Sequence, residues 1–353
     1  MVKKKKTKVV PHDAPEFLKA LVMAPGPSGF EDSAAACWRK YLEQYGLQVS
    51  TDTYGNSMTT INPGGQTSVM LVAHIDTIGL MVRHVDEDGL ICVAEIGGLD
   101  PLALIGQHVM VMSDPPIDGV IGRRPVHLEE DDDEPPLIHD LRVDVGACDL
   151  SDIAELVTVG TPIIFSPQFK SFMGNRVCAP GMDDRIGAWC LAEAALRLLK
   201  SDKLKARVHM VASVQEETGL HGAHMAVEQL SPRLALGIDG TFAIDTPDLS
   251  KDKYGSVRLG GGPVIGIGGS SHPMMVRELL DTAHDKGIMV QREATPNSDG
   301  CVEADAIFRS CGGVLTGTLM VPMRYMHTSV EMVQLDDAEA VVDLAVAWCE
   351  RVM

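Results

Sequence analysis

Residues 68–74 read Ser-Val-Met-Leu-Val-Ala-His, apolar at consecutive positions. A half-exposed strand alternates apolar and polar residues. An unbroken run predicts a strand buried on both faces, as in a parallel sheet covered by helices. Upstream, residues 14–25 and 32–46 repeat with helical period. Pro25-Gly-Pro-Ser-Gly29 separates them, and Glu31-Asp-Ser33 marks a helix start. Residues 48–54 alternate like a strand, and Gly55-Asn56 turns the chain.

The pattern then changes. Over residues 78–168 the apolar stretches are short (80–85, 90–95, 108–112 and 141–145), and Gly, Pro and Asp punctuate them. No long helical period appears. Short strands at close spacing predict a small β-barrel or sandwich. The run Glu129-Glu-Asp-Asp-Asp-Glu134 within it reads as a solvated loop. From residue 183 the helix–strand rhythm returns. Helices are predicted over 184–200, 222–230 and 272–286, with a last one over 336–352 capped by Asp336 or Asp337. Strands are predicted over 206–214, 234–239 and 314–321. The fold class is therefore α/β with a mixed sheet, interrupted by a smaller barrel-like β unit. The expected division is 1–77 with 169–353 for the main domain and 78–168 for the insertion.

Composition narrows the function classes. The 353-residue chain has a formal net charge of −19, so its surface repels phosphates and a nucleic-acid partner is not expected. Lys3–Lys6 is the exception and reads as a solvated tail. No apolar segment follows it, and no stretch reaches the ~20 residues of a membrane helix. No membrane partner is expected, and the reading is cytoplasmic. The eight cysteines form no Cys-x-x-Cys pair and read as reduced, mostly buried thiols. Cys190, one helical turn past Asp183-Asp184, reads as core packing.

Candidate chemistry gathers where apolar runs end. His74 and Asp76 close the 68–74 run. Residues i and i+2 of an extended chain share a face, so His74 can bind a metal while Asp76 takes its other ring N–H. Asp183-Asp184-Arg185 opens a helix, with Asp183 a possible bridging carboxylate and Arg185 a partial counter-charge for Asp184. Glu216-Glu217 follows a strand. Two adjacent carboxylates repel unless a cation holds them; one can ligate while the other takes a proton from water. Asp239 ends an apolar strand and is costly to bury unpaired, with Asp245 and Asp248 as nearby alternatives. His327 follows the 314–321 strand and a turn at Pro322. The remaining histidines, His221 among them, read as surface or packing residues. Imidazole and several carboxylates at strand ends are what two divalent ions need.

These residues carry a resemblance. Ala73-His-Ile-Asp76, Met182-Asp-Asp-Arg185, Gln215-Glu-Glu-Thr-Gly219 with Gly222-Ala223, and Arg324-Tyr-Met-His327 through Glu331 resemble the TET or glutamyl-aminopeptidase family. These are dinuclear metallo-aminopeptidases, some members of which also carry endoglucanase or deblocking-aminopeptidase names. The resemblance extends from Ser28-Gly-Phe-Glu31 to Glu331, through Asp118-Gly-Val-Ile-Gly122, His127-Leu128 and Leu141-Arg-Val-Asp-Val-Gly146 in the insertion.

The resemblance implies an aminopeptidase catalytic domain and two metal ions per chain, zinc, cobalt or manganese. His74, Asp183 and Asp239 would hold the first, and Asp183, Glu217 and His327 the second. Glu216 would be the general base and Asp76 the residue behind His74. Water bridging the metals would hydrolyse N-terminal residues from short peptides. A homo-oligomer, a tetrahedral dodecamer built from dimers, is also implied. Two stretches depart from the family pattern and would line the substrate pocket: Ala179-Pro-Gly-Met182, and Glu303-Ala-Asp305-Ala after Asn297–Cys301. The competing readings are a deacylase or carboxypeptidase on a related dinuclear fold, and a non-catalytic scaffold. A glycosidase needs only two carboxylates and would leave His74 and His327 without a role.

Overall fold

The structure, a computed structural model, describes residues 15–123, 127, 135–297 and 302–353. The Lys3–Lys6 tail, Leu128, the Glu129–Glu134 run and Ser298–Cys301 lie outside them.

The main sheet is mixed. Among the described residues its order runs Ser50–Thr51, Ser57–Ile61, Arg207–Ser213, Ser68–His74, Leu234–Phe242, Leu315–Arg324, Glu331–Gln334, Arg176–Ala179, Lys170–Phe172, with Val264–Ile267 and Gln291–Ala294 branching from Leu315–Arg324. The four central strands, Arg207–Ser213 to Leu315–Arg324, are mutually parallel. Ser68–His74 shows why its apolar run is unbroken. Val69, Leu71 and Ala73 pack into one core, with the helices Glu16–Met23, Asp32–Glu43, Met182–Leu199, Pro273–Lys286 and Leu335–Arg351. Met70 and Val72 pack into another, with helix His221–Leu230 and Ile307. Successive side chains point to opposite faces, and both faces are covered.

Of barrel and sandwich, the insertion is the former. Gly79–Val85, Ile91–Ile96, Arg142–Asp144, Ile117–Ile121, His108–Val111 and Pro162–Phe165 close a barrel in that order. It has its own core of Leu80, Val82, Ile91, Val93, Val109, Val111, Val143 and Ile163.

Several expectations are corrected. The 48–54 strand shrinks to Ser50–Thr51, because the Asp52 carboxylate accepts the backbone N–H groups of Tyr54, Gly55 and Asn56 and turns the chain early. Ser57–Ile61, Ile117–Ile121, Pro162–Phe165 and Arg176–Ala179 are strands that the pattern did not reveal. The strand through Asp239 continues to Phe242, so this carboxylate does not end it. Pro322 makes no turn. It lies inside Leu315–Arg324, opposite Thr241. On its other side the strand changes partner, from Val264 opposite Met320 to Val333 opposite Met323, so the missing N–H interrupts neither ladder.

Neither Asp336 nor Asp337 caps the last helix. Asp336 accepts from Asn175, while Asp337 is buried and accepts the N–H groups of Gly260 and Gly262. Cysteine burial is less general than expected: Cys178, Cys190 and Cys349 are buried, while Cys148 and Cys311 are exposed. Cys190 is packed as expected, its thiol pushed up by burial. No described helix is long and apolar enough to cross a membrane.

Candidate metal centre

Carboxyl ends of parallel strands are where open α/β sheets place their ligands. Here His74 is the last residue of its strand, and Glu216-Glu217 follow Arg207–Ser213. The pairing of Ser68–His74 with Leu234–Phe242 runs only to Val72 opposite Gly237. The ladder therefore stops just before His74 and Asp239, and their side chains converge beyond it.

Asp183 is the hub. Its Oδ1 lies 3.3 Å from His74 Nε2 and its Oδ2 lies 3.5 Å from His327 Nε2. His74 Nε2 is also 3.9 Å from Glu216 Oε2 and 4.0 Å from Asp239 Oδ1. His327 Nε2 is 3.4 Å from Glu217 Oε2. Donor atoms of His74, Asp183 and Asp239 gather around one point, those of Asp183, Glu217 and His327 around another, and those of His74, Glu216 and Glu217 around a third. All the expected residues thus come together. Asp245 and Asp248 do not join them. Asp245 instead forms a two-pronged ion pair with Arg324, both contacts at 2.7 Å.

Asp76 does more than face His74. Its Oδ1 is 3.5 Å from His74 Nδ1, which also lies 3.2 Å from the Asp76 backbone carbonyl. The same carboxylate accepts the backbone N–H groups of Glu216 and Glu217 at 3.0 and 3.1 Å and the Ser28 hydroxyl. One buried side chain therefore orients the imidazole and holds the turn that carries both glutamates. Glu31 adds a grip, accepting from Gln215 N–H at 3.2 Å.

The Asp pair behaves differently from expectation. The backbone at Asp183 and Asp184 leaves helical angles (ψ 108° and 44°), so their side chains diverge. Asp184 is fully buried, and its Oδ1 accepts from Gly187 N–H. Arg185 does not neutralise it. That guanidinium donates to the carbonyls of Leu21, Ala24 and Gly26.

Two glutamates escaped the sequence reading of roles. Glu331, 1% exposed, accepts the backbone N–H of Asp183 at 3.0 Å and of His327 at 2.8 Å. It fixes two site residues at once, including His327 at a left-handed φ of 61°. Its place four residues after His327 was the available signal. Glu303, also 1% exposed, accepts from Ser213 Oγ at 2.6 Å, while Ala306 of the same stretch lines a cavity beside the Gln215–Gly219 turn.

The charge balance of the centre is unusual. Burial, then the Asp183 charge, pushes Glu217 up to about 8. Burial likewise raises Glu216, Asp239, Asp184 and Glu331, and neighbouring carboxylates add to it. Asp183 alone among the proposed ligand carboxyls is lowered, because the two histidine rings outweigh its burial. His327 is raised to about 9, chiefly by its bond to Asp183. Two imidazoles do not supply enough positive charge for this many buried carboxyls. Glu217 Oε1 is buried and has no hydrogen-bond partner. Mixed imidazole and carboxylate donors, an orphaned buried oxygen and excess negative charge fit divalent cations.

Comparison with known proteins agrees. A sequence profile of the M42 glutamyl aminopeptidase family matches residues 55–344. The chain belongs to this family. It is an aminopeptidase, a peptide-bond hydrolase, and M42 peptidases are metallopeptidases. The chain is 34% identical over 342 residues to a lysyl aminopeptidase of Pyrococcus furiosus, covering 95% of this chain and 96% of the relative. A TET aminopeptidase from a marine-sediment Thaumarchaeota archaeon superposes with a TM-score of 0.91 at 27% identity, covering 96% of each chain. The TET1 peptidase of Pyrococcus horikoshii, which can assemble into a tetrahedron or a large octahedral shell, gives 0.85 at 30% identity. The match covers 96% of this chain and 99% of that one. Beside the candidate metal centre, a cavity of about 570 Å³ lies against the Gln215–Gly219 turn, lined also by Tyr54, His221, His224 and Arg309.

Proposed function

We propose that the chain removes N-terminal residues from short peptides with two divalent ions bound. The observation that carries this is the Asp183 carboxylate, whose two oxygens face two different histidines. His74, Asp183 and Asp239 hold the first ion; Asp183, Glu217 and His327 hold the second. Zinc suits this borderline nitrogen and oxygen donor set, and cobalt or manganese is also compatible with it. When bound, the ions supply Lewis acidity toward the scissile carbonyl and the attacking water.

The chain's own groups do the rest. Glu216 Oε2 faces His74 Nε2 at 3.9 Å, and although it groups with His74 and Glu217, the two ligand sets assigned here leave it free to act on water. It takes a proton from the attacking water and returns it to the leaving amine. Asp76 keeps His74 Nδ1 occupied, so that Nε2 is free to ligate, and keeps Glu216 in place through its backbone.

The proposal extends to a cytoplasmic homo-oligomer, a dodecamer built from dimers, in which residues 78–168 form a domain inserted between 1–77 and 169–353. The assembly of the P. horikoshii relative and the closed barrel with its separate core support this.

The test compares Glu216→Gln with Glu217→Gln across a zinc titration. Glu216→Gln keeps its metal, while kcat on an aminoacyl-p-nitroanilide falls roughly 10²–10⁴-fold and added zinc does not restore it. Glu217→Gln loses metal and regains activity at high zinc. The reverse pattern swaps the two roles. Full activity in both variants removes this pair from the reaction. Cleavage of N-blocked substrates in preference to free N-termini would point instead to a deacylase or carboxypeptidase.

A further inference from the structure

The second ion position is not built by the main sheet alone. The barrel strand Ile91–Ile96 ends in Gly97-Gly98, and this turn lies directly on two of the proposed ligands. A Cβ at Gly98 would stand 3.2 Å from His327 Nδ1 and 3.5 Å from Cε1. A Cβ at Gly97, whose φ is +75°, would stand 2.9 Å from Ile78 Cγ2 and 3.3 Å from both Cβ and Oε2 of Glu217. That Oε2 is the atom facing His327 Nε2. A second tie lies nearby: Ser329 Oγ donates to Gln107 Oε1 at 2.7 Å. Gln107 is fixed in the barrel, its carbonyl accepting from Ile121 N–H.

The ring beside it is the less enclosed of the two. The His327 side chain is 39% exposed, against 2% for His74. His327 stands on a loop rather than in a strand, and only its Nε2 edge faces carboxylates. Its Nδ1 edge meets the barrel turn.

We infer that the Gly97-Gly98 turn of the barrel is a positioning element of the metal centre, setting His327 and Glu217 and hence the affinity of the second ion. The inference rests on the two-ion reading proposed above. It makes the inserted barrel a component of the active site, through contact with ligands rather than through substrate.

Gly98→Ala is the direct test, because Gly98 has no positive φ and the new methyl meets only the His327 ring within 4 Å. Gly122→Ala, another barrel glycine with nothing within 4 Å, is the control. Zinc is titrated calorimetrically into the metal-stripped full-length chain. The unsubstituted protein takes up two equivalents. Gly98→Ala keeps one unchanged and binds the other about tenfold more weakly, in the range usual for residues that orient a ligand. Gly122→Ala matches the unsubstituted protein. On a His327→Ala background, which has lost the second equivalent, Gly98→Ala changes nothing further.

A Gly98→Ala isotherm that overlays the unsubstituted one overturns the inference while leaving the two-ion reading intact. So does a weakening that persists in the His327→Ala background. Uptake of fewer than two equivalents by the unsubstituted chain overturns both. If Gly98→Ala loses its native circular dichroism, Gln107→Ala decides instead. It cuts the tie to Ser329 without touching a ligand and must weaken the second equivalent, and only the second.

Discussion

His74 and His327 both face Asp183, yet the side chain of one is 2% exposed and that of the other 39%. His74 ends a strand whose seven residues are all buried, and Asp239 lies within the neighbouring strand. Backbone ladders hold both before any side chain is considered. His327 sits past its strand at φ 61°, with its N–H held by Glu331 and its ring beside the barrel turn. One half of the centre is carried by secondary structure, the other by contacts between distant segments. Ladder hydrogen bonds are numerous and cooperative. A loop held by a few contacts yields to single substitutions.

Asp183→Asn is expected to have the largest effect, because it belongs to both halves. Both zinc equivalents should weaken in calorimetry, and kcat/KM should fall by more than the roughly 10²–10⁴-fold assigned to the general base. Loss of one equivalent only would mean that Asp183 does not bridge, and the comparison of two halves around one carboxylate would end there.

Glu331→Ala comes next. It removes the acceptor for the N–H groups of Asp183 and His327. Zinc affinity should drop about 10–100-fold, the usual cost of losing such support. The second equivalent should suffer more than the first, since the second loses support at both Asp183 and His327 and the first at Asp183 alone. Equal weakening of both would show that Glu331 acts through Asp183 alone.

Asp245→Asn is expected to be the mildest. Asp245 follows the Asp239 strand, and Arg324 ends the strand that leads to His327, so their pair ties the two halves together. Burial would raise Asp245, but the Arg324 guanidinium outweighs it and holds the carboxyl below the usual range. A lowered carboxyl contributes stability above its unfolded pKa and loses it as pH falls through the folded one. Asp245→Asn should therefore lower Tm at pH 7, by a shift equivalent to about 1–2 kcal/mol, a charged hydrogen-bonded pair discounted for partial exposure. The difference from the unsubstituted chain should shrink as the pH falls below about 4. A shift that is independent of pH would assign the effect to packing.

From the sequence alone, period and composition located the fully buried strand, the principal helices and the helix-poor insertion, and singled out His74, Asp183, Glu216, Glu217, Asp239 and His327 as candidates, while their separate roles came from the family resemblance. Such features are local. A strand between two helix layers must be apolar on both faces, and a carboxylate or imidazole at its end stands out against that run. What the tertiary structure decided is long-range. The divergence of Asp183 and Asp184, and the turning of Arg185 to the carbonyls of Leu21, Ala24 and Gly26, depend on segments far apart in the chain. So do the grip of Glu331 on two site residues and the burial of Glu303 against Ser213. Pro322 looked like a turn because its missing N–H is a local fact. Its harmless position between two strand partners is a fact of register. Gly97-Gly98 reads in sequence as an ordinary turn, since glycine there records the absence of a side chain. Only the folded chain shows that Glu217 and His327 occupy the space a side chain would need.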